Sequence, residues 1–365
     1  MEFNVAPMQM SFSLLPSPAD MEQAFYQKDA SYDGVFFVAV RTTGIFCRPS
    51  CPSRPKRENV EFFATIRDAV FAGYRPCKRC HPTEVYGALP DWVVALTQKV
   101  EAAPGAKITA SDMRLLGISP EKARRWFKEY YGMTFAEWCR GRRLADAFTQ
   151  IRDGAQLDDV VFANGYESHS GFRDAFNKTF GVAPGQSPTK DYIAAQMVET
   201  PLGVMLVGAV REGICLLEFS DRRMLERNYE TIRKRFGYPV LPVTNDPIEL
   251  LRDELSRYFA GTLTDFTVPL MPRGTPFQEK VWAELRRIPH GDTISYDELA
   301  QRIDQPTAMR AVARANGMNR ITILIPCHRV IGKDGQLTGY GGGLWRKRLL
   351  LELERTGTLP GTKPS

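Results

Sequence analysis

Four cysteines cluster between Cys47 and Cys80, as Cys47-x3-Cys51 followed after 25 residues by Cys77-x2-Cys80. Two short cysteine turns brought together supply four thiolates, a donor set suited to tetrahedral zinc. A closed knuckle that only holds a small domain together has the same spacing. The surrounding side chains widen the possibilities. Arg41, Arg48, Arg54, Lys56, Arg57, Arg75, Lys78 and Arg79 crowd both halves of the cluster, a composition suited to phosphate. A metal-bound sulfur stays deprotonated at neutral pH, so it is a nucleophile that needs no base. His81 adjoins Cys80, but four sulfurs already complete the shell.

A second candidate nucleophile closes the apolar run Ile321-Thr-Ile-Leu-Ile-Pro326, expected to be a buried strand, where Cys327 directly precedes His328. A thiol beside an imidazole becomes a thiolate by proton transfer. As a bare dipeptide it describes a buried structural cysteine better than a nucleophile. Cys139 and Cys215 lie in apolar surroundings and are expected to be core residues without chemistry.

The elements that must position these groups divide the chain. Its 365 residues suggest two or three domains, and 43% hydrophobic with 25% charged residues is globular. No apolar run approaches the roughly 20 residues that cross a bilayer. Met1 to Pro18 lacks a basic start and an apolar core, so a cytoplasmic protein is expected. Seven cysteines in a reducing compartment point to metal before disulfides, and a net charge of +6 leans toward an anionic partner. No Gly-rich dinucleotide or phosphate loop is present, so zinc is the one cofactor expected.

Residues from about 20 to 85 carry the cysteine cluster, and from about 90 to 190 the pattern is helical. Strand-like runs follow Pro201, and helices resume at Thr275. The segment Ala183-Pro-Gly-Gln-Ser-Pro-Thr189 reads as a helix stop and linker. Two half-units, Leu116 to Phe135 and Ala163 to Pro184, each combine a glycine turn, a capping serine and a helix of aromatic and polar residues. That is helix-turn-helix grammar, though a plain bundle with a basic face shares it. Trp126, Phe127, Phe172, Phe176 and Phe180 are expected in the core, and Glu121, Arg124, Arg125, Ser168, His169 and Arg173 face outward as candidate base readers.

Three stretches resemble known families. Ala39 to Arg54, Glu58-Asn-Val60 and Ala72 to Cys80 resemble the N-terminal domain of the Ada adaptive-response proteins. The resemblance implies that Cys47 is both zinc ligand and acceptor of methyl groups from phosphotriesters, with Cys51, Cys77 and Cys80 as the other ligands. Four thiolates on a zinc dication carry −2, and methylation of Cys47 would leave −1, so repair would strengthen the grip on DNA. The duplicated half-units resemble the AraC-type DNA-binding domain, departing from it at Asp112 and Met113.

Pro326-Cys-His-Arg329, Gly339-Tyr-Gly-Gly-Gly-Leu344, Pro276-Phe-Gln278, Val281-Trp282, Gly291 to Ala300 and Ala308 to Val312 resemble the O6-alkylguanine-DNA alkyltransferases. That resemblance covers about Pro201 to Leu353. It implies that Cys327 accepts the alkyl group, His328 acts as base through a water, and Glu354 orients His328. Arg310 would replace the extruded base, Tyr296 would help rotate it out, Tyr340 would bond or stack it, and Asn319 would brace the active-site turn. Arg310 and Arg314 would sit on a DNA-binding helix from Thr307 to Gly317.

The implied fold is multidomain α+β. Residues 1–88 form a zinc domain, 89–192 an AraC-type double helix-turn-helix, 193–272 a ribonuclease-H-like sheet domain, and 273–365 a winged-helix-like catalytic domain. The implied function is single-turnover DNA repair joined to transcriptional activation, with alkylated and promoter double-stranded DNA and RNA polymerase as partners. A DNA-binding regulator without efficient guanine repair is the alternative.

Overall fold

The computed structural model describes residues 15–83, 89–103, 105, 107–186, 191–222 and 225–359. Most of the stretch Met1 to Pro18 and the end of the linker segment lie outside them.

The cysteine-rich module begins with helix α1 (Pro18–Gln27), capped reciprocally by Ser17 and Asp20. Strands β1 (Phe37–Val40), β2 (Ile45–Cys47) and β3 (Val60–Phe63), helix α2 (Ile66–Phe71) and strand β4 (Arg75–Pro76) follow. The sheet order is β3-β1-β2-β4. Gly44, at φ 64°, supplies the left-handed residue that the β1–β2 turn requires. Phe37, Ala39, Phe46 and Ala69 pack on one face of β1, while Val38 joins Phe25 and Phe36 in the larger core.

Six helices come next: α3 (Asp91–Ala102), α4 (Ala110–Leu115), α5 (Pro120–Tyr131), α6 (Phe135–Arg152), α7 (Leu157–Ala163) and α8 (His169–Phe180). The pairs α4–α5 and α7–α8 turn at Gly117 and Gly165, both at positive φ, and Ser119 and Ser168 cap the second helix of each pair. The long α6 joins the two pairs. Asp112, atypical by family pattern, completes a capping box with Thr109 that starts α4. Phe127, Phe172, Phe176 and Phe180 are buried as expected, and Trp126 is half-buried against Tyr130. The helix stop falls at Gly181, the left-handed cap of α8, two residues before the stretch read as the stop.

Strands β5 (Ile193–Thr200), β6 (Gly203–Val210), β7 (Gly213–Phe219) and β8 (Val240–Leu241) form a sheet of order β7-β6-β5-β8. Its strands are nearly continuous apolar runs because both faces are covered. Ile193, Ala195, Met197 and Cys215 share a cluster with α9 (Leu225–Phe236) and with Phe127 and Trp138 of the helical module. Ala194, Val198, Val207 and Leu217 point to α10 (Asp246–Phe259) and the C-terminal lobe.

That lobe holds α11 (Pro276–Leu285), β9 (Ile294–Ser295), α12 (Tyr296–Arg302), α13 (Met309–Gly317), β10 (Val330–Ile331) and α14 (Leu344–Thr356), with β9 and β10 parallel. The expected strand at Ile321–Pro326 does not form. After a single bridge between Ile321 and Leu217 the chain coils through a buried turn, with Ile323 at φ 72°. Length and apolarity alone do not distinguish a buried strand from a buried turn. Here Ile325 N–H bonds back to Ile321 O at 2.9 Å, and Asn319 Oδ1 takes Ile321 N–H at 2.9 Å.

Candidate functional site

The cysteine cluster is assembled at one side of the small sheet, where β2 pairs with the edge strand β4. Cys47 ends β2 opposite Val38, and Cys77 follows β4, its N–H bonded to Phe46 O at 2.9 Å. A turn closed by Cys51 N–H on Arg48 O at 3.0 Å brings Cys51 round to Cys47. All four sulfurs lie within 4.8 Å of one another. Backbone N–H groups of Arg48 and Arg79 donate to Cys80 Sγ and Cys77 Sγ, each at 3.4 Å. Hydrogen bonds with the Cys51 and Cys80 sulfurs, reinforced by burial, push the Cys47 thiol far above its ordinary value, while the same contact holds Cys51 far below. Sulfurs this close ionise together only around a cation, so the donor set fits one zinc with Cys47, Cys51, Cys77 and Cys80 as ligands.

Of the basic residues around it, Arg41 pairs with Glu61 and Arg57 with Glu22. Arg48 donates to His81 O at 2.8 Å. Arg75, Lys78 and Arg79 are exposed beside Cys77 and Cys80, without an acidic partner among the described residues. They form an exposed cationic rim flanking Cys77 and Cys80 in sequence.

Cys327 opens the short 3-10 turn Cys327–Arg329 and is buried. Asn319 Nδ2 donates both to its sulfur at 3.2 Å and to Ile325 O at 2.8 Å. Burial pushes the thiol up, against the pull of that Asn319 hydrogen bond. The adjacent His328 is fully buried, and burial lowers its pKa despite the neighbouring Glu354. Its Nε2 lies 2.8 Å from Glu354 Oε1. An ionised carboxylate only accepts, so Nε2 carries the proton and Nδ1 keeps its lone pair. That Nδ1 is buried and has no partner among the described residues.

Besides His328, the residues Arg329, Tyr258 and Gly291 donate to Glu354, the last through its N–H to Oε2 at 3.4 Å. Arg329 grips it with Nε on Oε2 at 2.8 Å and Nη2 on Oε1 at 2.9 Å, and Tyr258 O–H donates to Oε1 at 2.7 Å. Burial alone would raise its pKa, but the His328 and Arg329 contacts prevail and hold it well below the carboxylate range. The residue-type reading missed Tyr258 and the role of Arg329, although Arg329 stood inside the quoted motif.

Tyr340 lines the Cys327 chamber with Thr322, to which its hydroxyl is bonded at 3.0 Å. Tyr296 opens α12, its hydroxyl donating to Gly339 O at 3.3 Å and receiving Asn316 Nδ2 at 3.5 Å. On α13, Val312 and Ala315 face the core while Arg310 and Arg314 are exposed on the outer side. In the helical module Arg124 forks onto Glu121 at 3.0 and 3.1 Å, Arg125 and Arg173 are exposed, and His169 sits 3.6 Å from Asp158. Ser168 is the N-cap of α8, its side chain occupied by Gly171 N–H. Among the described residues, no helix is long and apolar enough to cross a membrane.

Four family models match in succession along the chain. They are the metal binding domain of Ada (20–83), a helix-turn-helix domain (113–187), and the ribonuclease-like (193–272) and DNA binding (276–356) domains of 6-O-methylguanine DNA methyltransferase. The chain is 34% identical over 345 residues to the bifunctional transcriptional activator/DNA repair enzyme Ada of Escherichia coli K12, covering 91% of this chain and 95% of that protein. It is 47% identical over 161 residues to the methylated-DNA–protein-cysteine methyltransferase of Mycobacterium bovis, covering 44% of this chain and 90% of the relative. Among solved structures, Mycobacterium tuberculosis OGT in complex with DNA is 40% identical, over 46% of this chain and 96% of that one, with a TM-score of 0.40. The chain belongs to the Ada family, joining a zinc-binding module, a DNA-binding transcription regulator and a methylated-DNA–protein-cysteine methyltransferase in one polypeptide.

Proposed function

We propose that Cys327 is the acceptor for alkyl groups on guanine O6, with His328 as its base and Glu354 as the group that holds His328. The observation that carries this is the buried line from Asn319 through Cys327 to the His328–Glu354 pair at 2.8 Å. The Cys327 proton passes through one water to His328 Nδ1, and Glu354 stabilises the imidazolium through Nε2–H. Asn319 Nδ2 donates to the sulfur and so favours the thiolate. The thiolate attacks the alkyl carbon as a new S–C bond forms. The C–O6 bond breaks, its electron pair stays on the purine oxygen, and a proton returns to the base. The thioether product resists hydrolysis, so each chain acts once.

The O6 substituent lies inside the stacked duplex, so the nucleotide must be extruded. We assign Tyr296 to rotating it out, Arg310 to filling the gap it leaves, Tyr340 to holding it, and Arg314 to the adjacent phosphates. In the N-terminal module Cys47 is assigned as acceptor of methyl groups from phosphotriesters. Bound zinc would keep that sulfur anionic, and Arg48, Arg75, Lys78 and Arg79 would hold the strand against it. Loss of one negative charge on methylation would strengthen DNA binding and present α5 and α8 to a promoter, with Arg124, Arg125 and Arg173 as contacts and RNA polymerase as the final partner. The functional units are taken as residues 1–88, 89–192, 193–272 and 273–365, and the compartment as the cytoplasm, where free thiols persist.

Peptide mass spectrometry after incubation with duplexes carrying O6-methylguanine or a methylphosphotriester tests the assignments. One added CH2 is expected on Cys327 from the first and on Cys47 from the second. Methylation elsewhere, or undiminished transfer from O6-methylguanine to a Cys327→Ala variant, would sink the guanine-acceptor assignment.

A further inference from the structure

The chamber at Cys327 has a wall that comes from another domain. Arg222, in the turn after β7, reaches over from the sheet domain and lines the chamber with Asn316, Thr322 and Tyr340. Its Nη2 donates to Gly317 O at 2.8 Å and its Nη1 to Asn319 O at 3.2 Å. Nη1 also pairs with the Glu218 carboxylate, which is buried and takes Asn228 Nδ2 at 2.7 Å. On its other side the guanidinium presses on bare backbone, for a Cβ on Gly341 would stand 2.4 Å from Arg222 Cζ. One side chain therefore bonds the end of α13 and packs against the Gly339–Gly343 loop, the two rims of the chamber.

With the rims so placed, the cavity is about 10 Å³. That is room for about one water and far too little for a purine. A base reaches Cys327 only after the rims part. The anchoring of Arg222 suits release better than permanence. Its side chain is 8% exposed, yet Nε has no partner among the described residues. Glu218 itself is held up to about 7 by burial, against the Arg222 ion pair. A buried ion pair of this kind adds little to stability compared with apolar residues of similar volume.

We infer that Arg222 is the latch of the alkylguanine chamber: its guanidinium must let go of Gly317 O and Asn319 O and lift from Gly341 before an extruded base can enter. This rests on Cys327 being the acceptor, and the two ideas fail separately.

The probe is free O6-benzylguanine, whose benzylic carbon is reactive toward thiolates and which carries no phosphate to draw Arg222 away. The variant Arg222→Ala combined with Glu218→Leu removes the latch without stranding a buried charge. Arg222→Lys keeps the charge but lacks the fork that spans both carbonyls. Both should benzylate Cys327 faster than the wild type, by about tenfold in the double variant, the equivalent of one hydrogen bond no longer broken on opening. Circular dichroism establishes folding, and if the double variant is unfolded the Lys variant decides. A folded variant that reacts no faster than wild type, or more slowly, overturns the latch. Failure of wild-type Cys327 to take methyl from an O6-methylguanine duplex would instead overturn the acceptor assignment.

Discussion

The Asn319 amide stands between the backbone and the Cys327 sulfur. Its Nδ2 reaches Cys327 Sγ at 3.2 Å and Ile325 O at 2.8 Å, while its Oδ1 holds Ile321 N–H at 2.9 Å. One side chain thus shapes the buried turn and donates to the sulfur that the turn presents. Asn319→Ala is expected to slow alkylation of Cys327 on the order of 10²-fold, as for loss of one preorganised donor. It should also lower stability by about 1–3 kcal/mol, because the buried Ile321 N–H loses its partner, while Ile325 O keeps Cys327 N–H at 2.8 Å. Single-turnover transfer and urea unfolding measure the two effects. An unchanged rate with lost stability would reduce Asn319 to a strut.

Glu354→Gln keeps the shape and removes the charge that both His328 and Arg329 require. Arg329, 8% exposed, would lose its buried counter-charge. A stability loss of about 3–5 kcal/mol is expected, with transfer slower by about 10²–10⁴-fold. The pH dependence has a definite sign. Glu354 is depressed in the folded protein, so its contribution is present above the ordinary carboxylate value of about 4.3 and fades as pH falls below it. Acid unfolding curves should therefore be shallower for Glu354→Gln than for wild type.

His328 and Cys327 are displaced in opposite directions, the imidazole down and the thiol up, both by burial. If His328 is the base proposed for Cys327, the thiolate of the wild type forms as the neutral imidazole takes its proton, so transfer should hold across neutral pH and decline in acid once His328 is protonated. The variant His328→Gln lacks that route. Its transfer rate should climb with pH until the raised thiol of Cys327 titrates in the alkaline range. Rate profiles from pH 5 to 10 compare the two, and parallel profiles would remove His328 from the role of base.

In the helical module, Glu121 occupies the forked guanidinium of Arg124 on an exposed helix face. Surface pairs of this kind contribute little to stability. Glu121→Ala should leave unfolding unchanged, raise affinity for DNA irrespective of sequence, and steepen the salt dependence by about one phosphate contact. Salt titrations of duplex binding read this directly, and an unaltered slope would place Arg124 away from DNA.

Much of both sites was legible because their ligands are neighbours in sequence. Cys47 and Cys51, Cys77 and Cys80, and Cys327 with His328 announce themselves by spacing. Groups brought in by tertiary folding gave no such signal. Tyr258 reaches Glu354 from 96 residues away, and Arg222 reaches Gly317 O from 95. The run Ile321–Pro326 misled for a different reason. Its composition suits a buried strand, but the hydrogen bonds of Asn319 and the left-handed Ile323 coil it into a turn. Asp112 looked like a departure from pattern and is a capping residue, so the first half-unit keeps its helix start.

Zinc removal should separate the N-terminal module from the rest of the fold. Its own sheet core is small, with Phe37, Ala39, Phe46 and Ala69 on one face and a final strand of two residues. Domains this small commonly need a metal or a covalent tie to persist. Structural zinc sites in peptides contribute on the order of 10–16 kcal/mol, far above what such a core replaces. In Cys51→Ala the remaining sulfurs of Cys47, Cys77 and Cys80 lack the fourth donor, and the turn closed by the backbone N–H of residue 51 on Arg48 O keeps that hydrogen bond but is no longer held to the other sulfurs through a metal. Native mass spectrometry should show the zinc lost or exchanging freely with chelator, and limited proteolysis should cut first within residues 20–83 while the sheet domain with its buried β5, β6 and β7 survives. A zinc-free variant as resistant to protease as the wild type would mean that the metal is not what holds this module together.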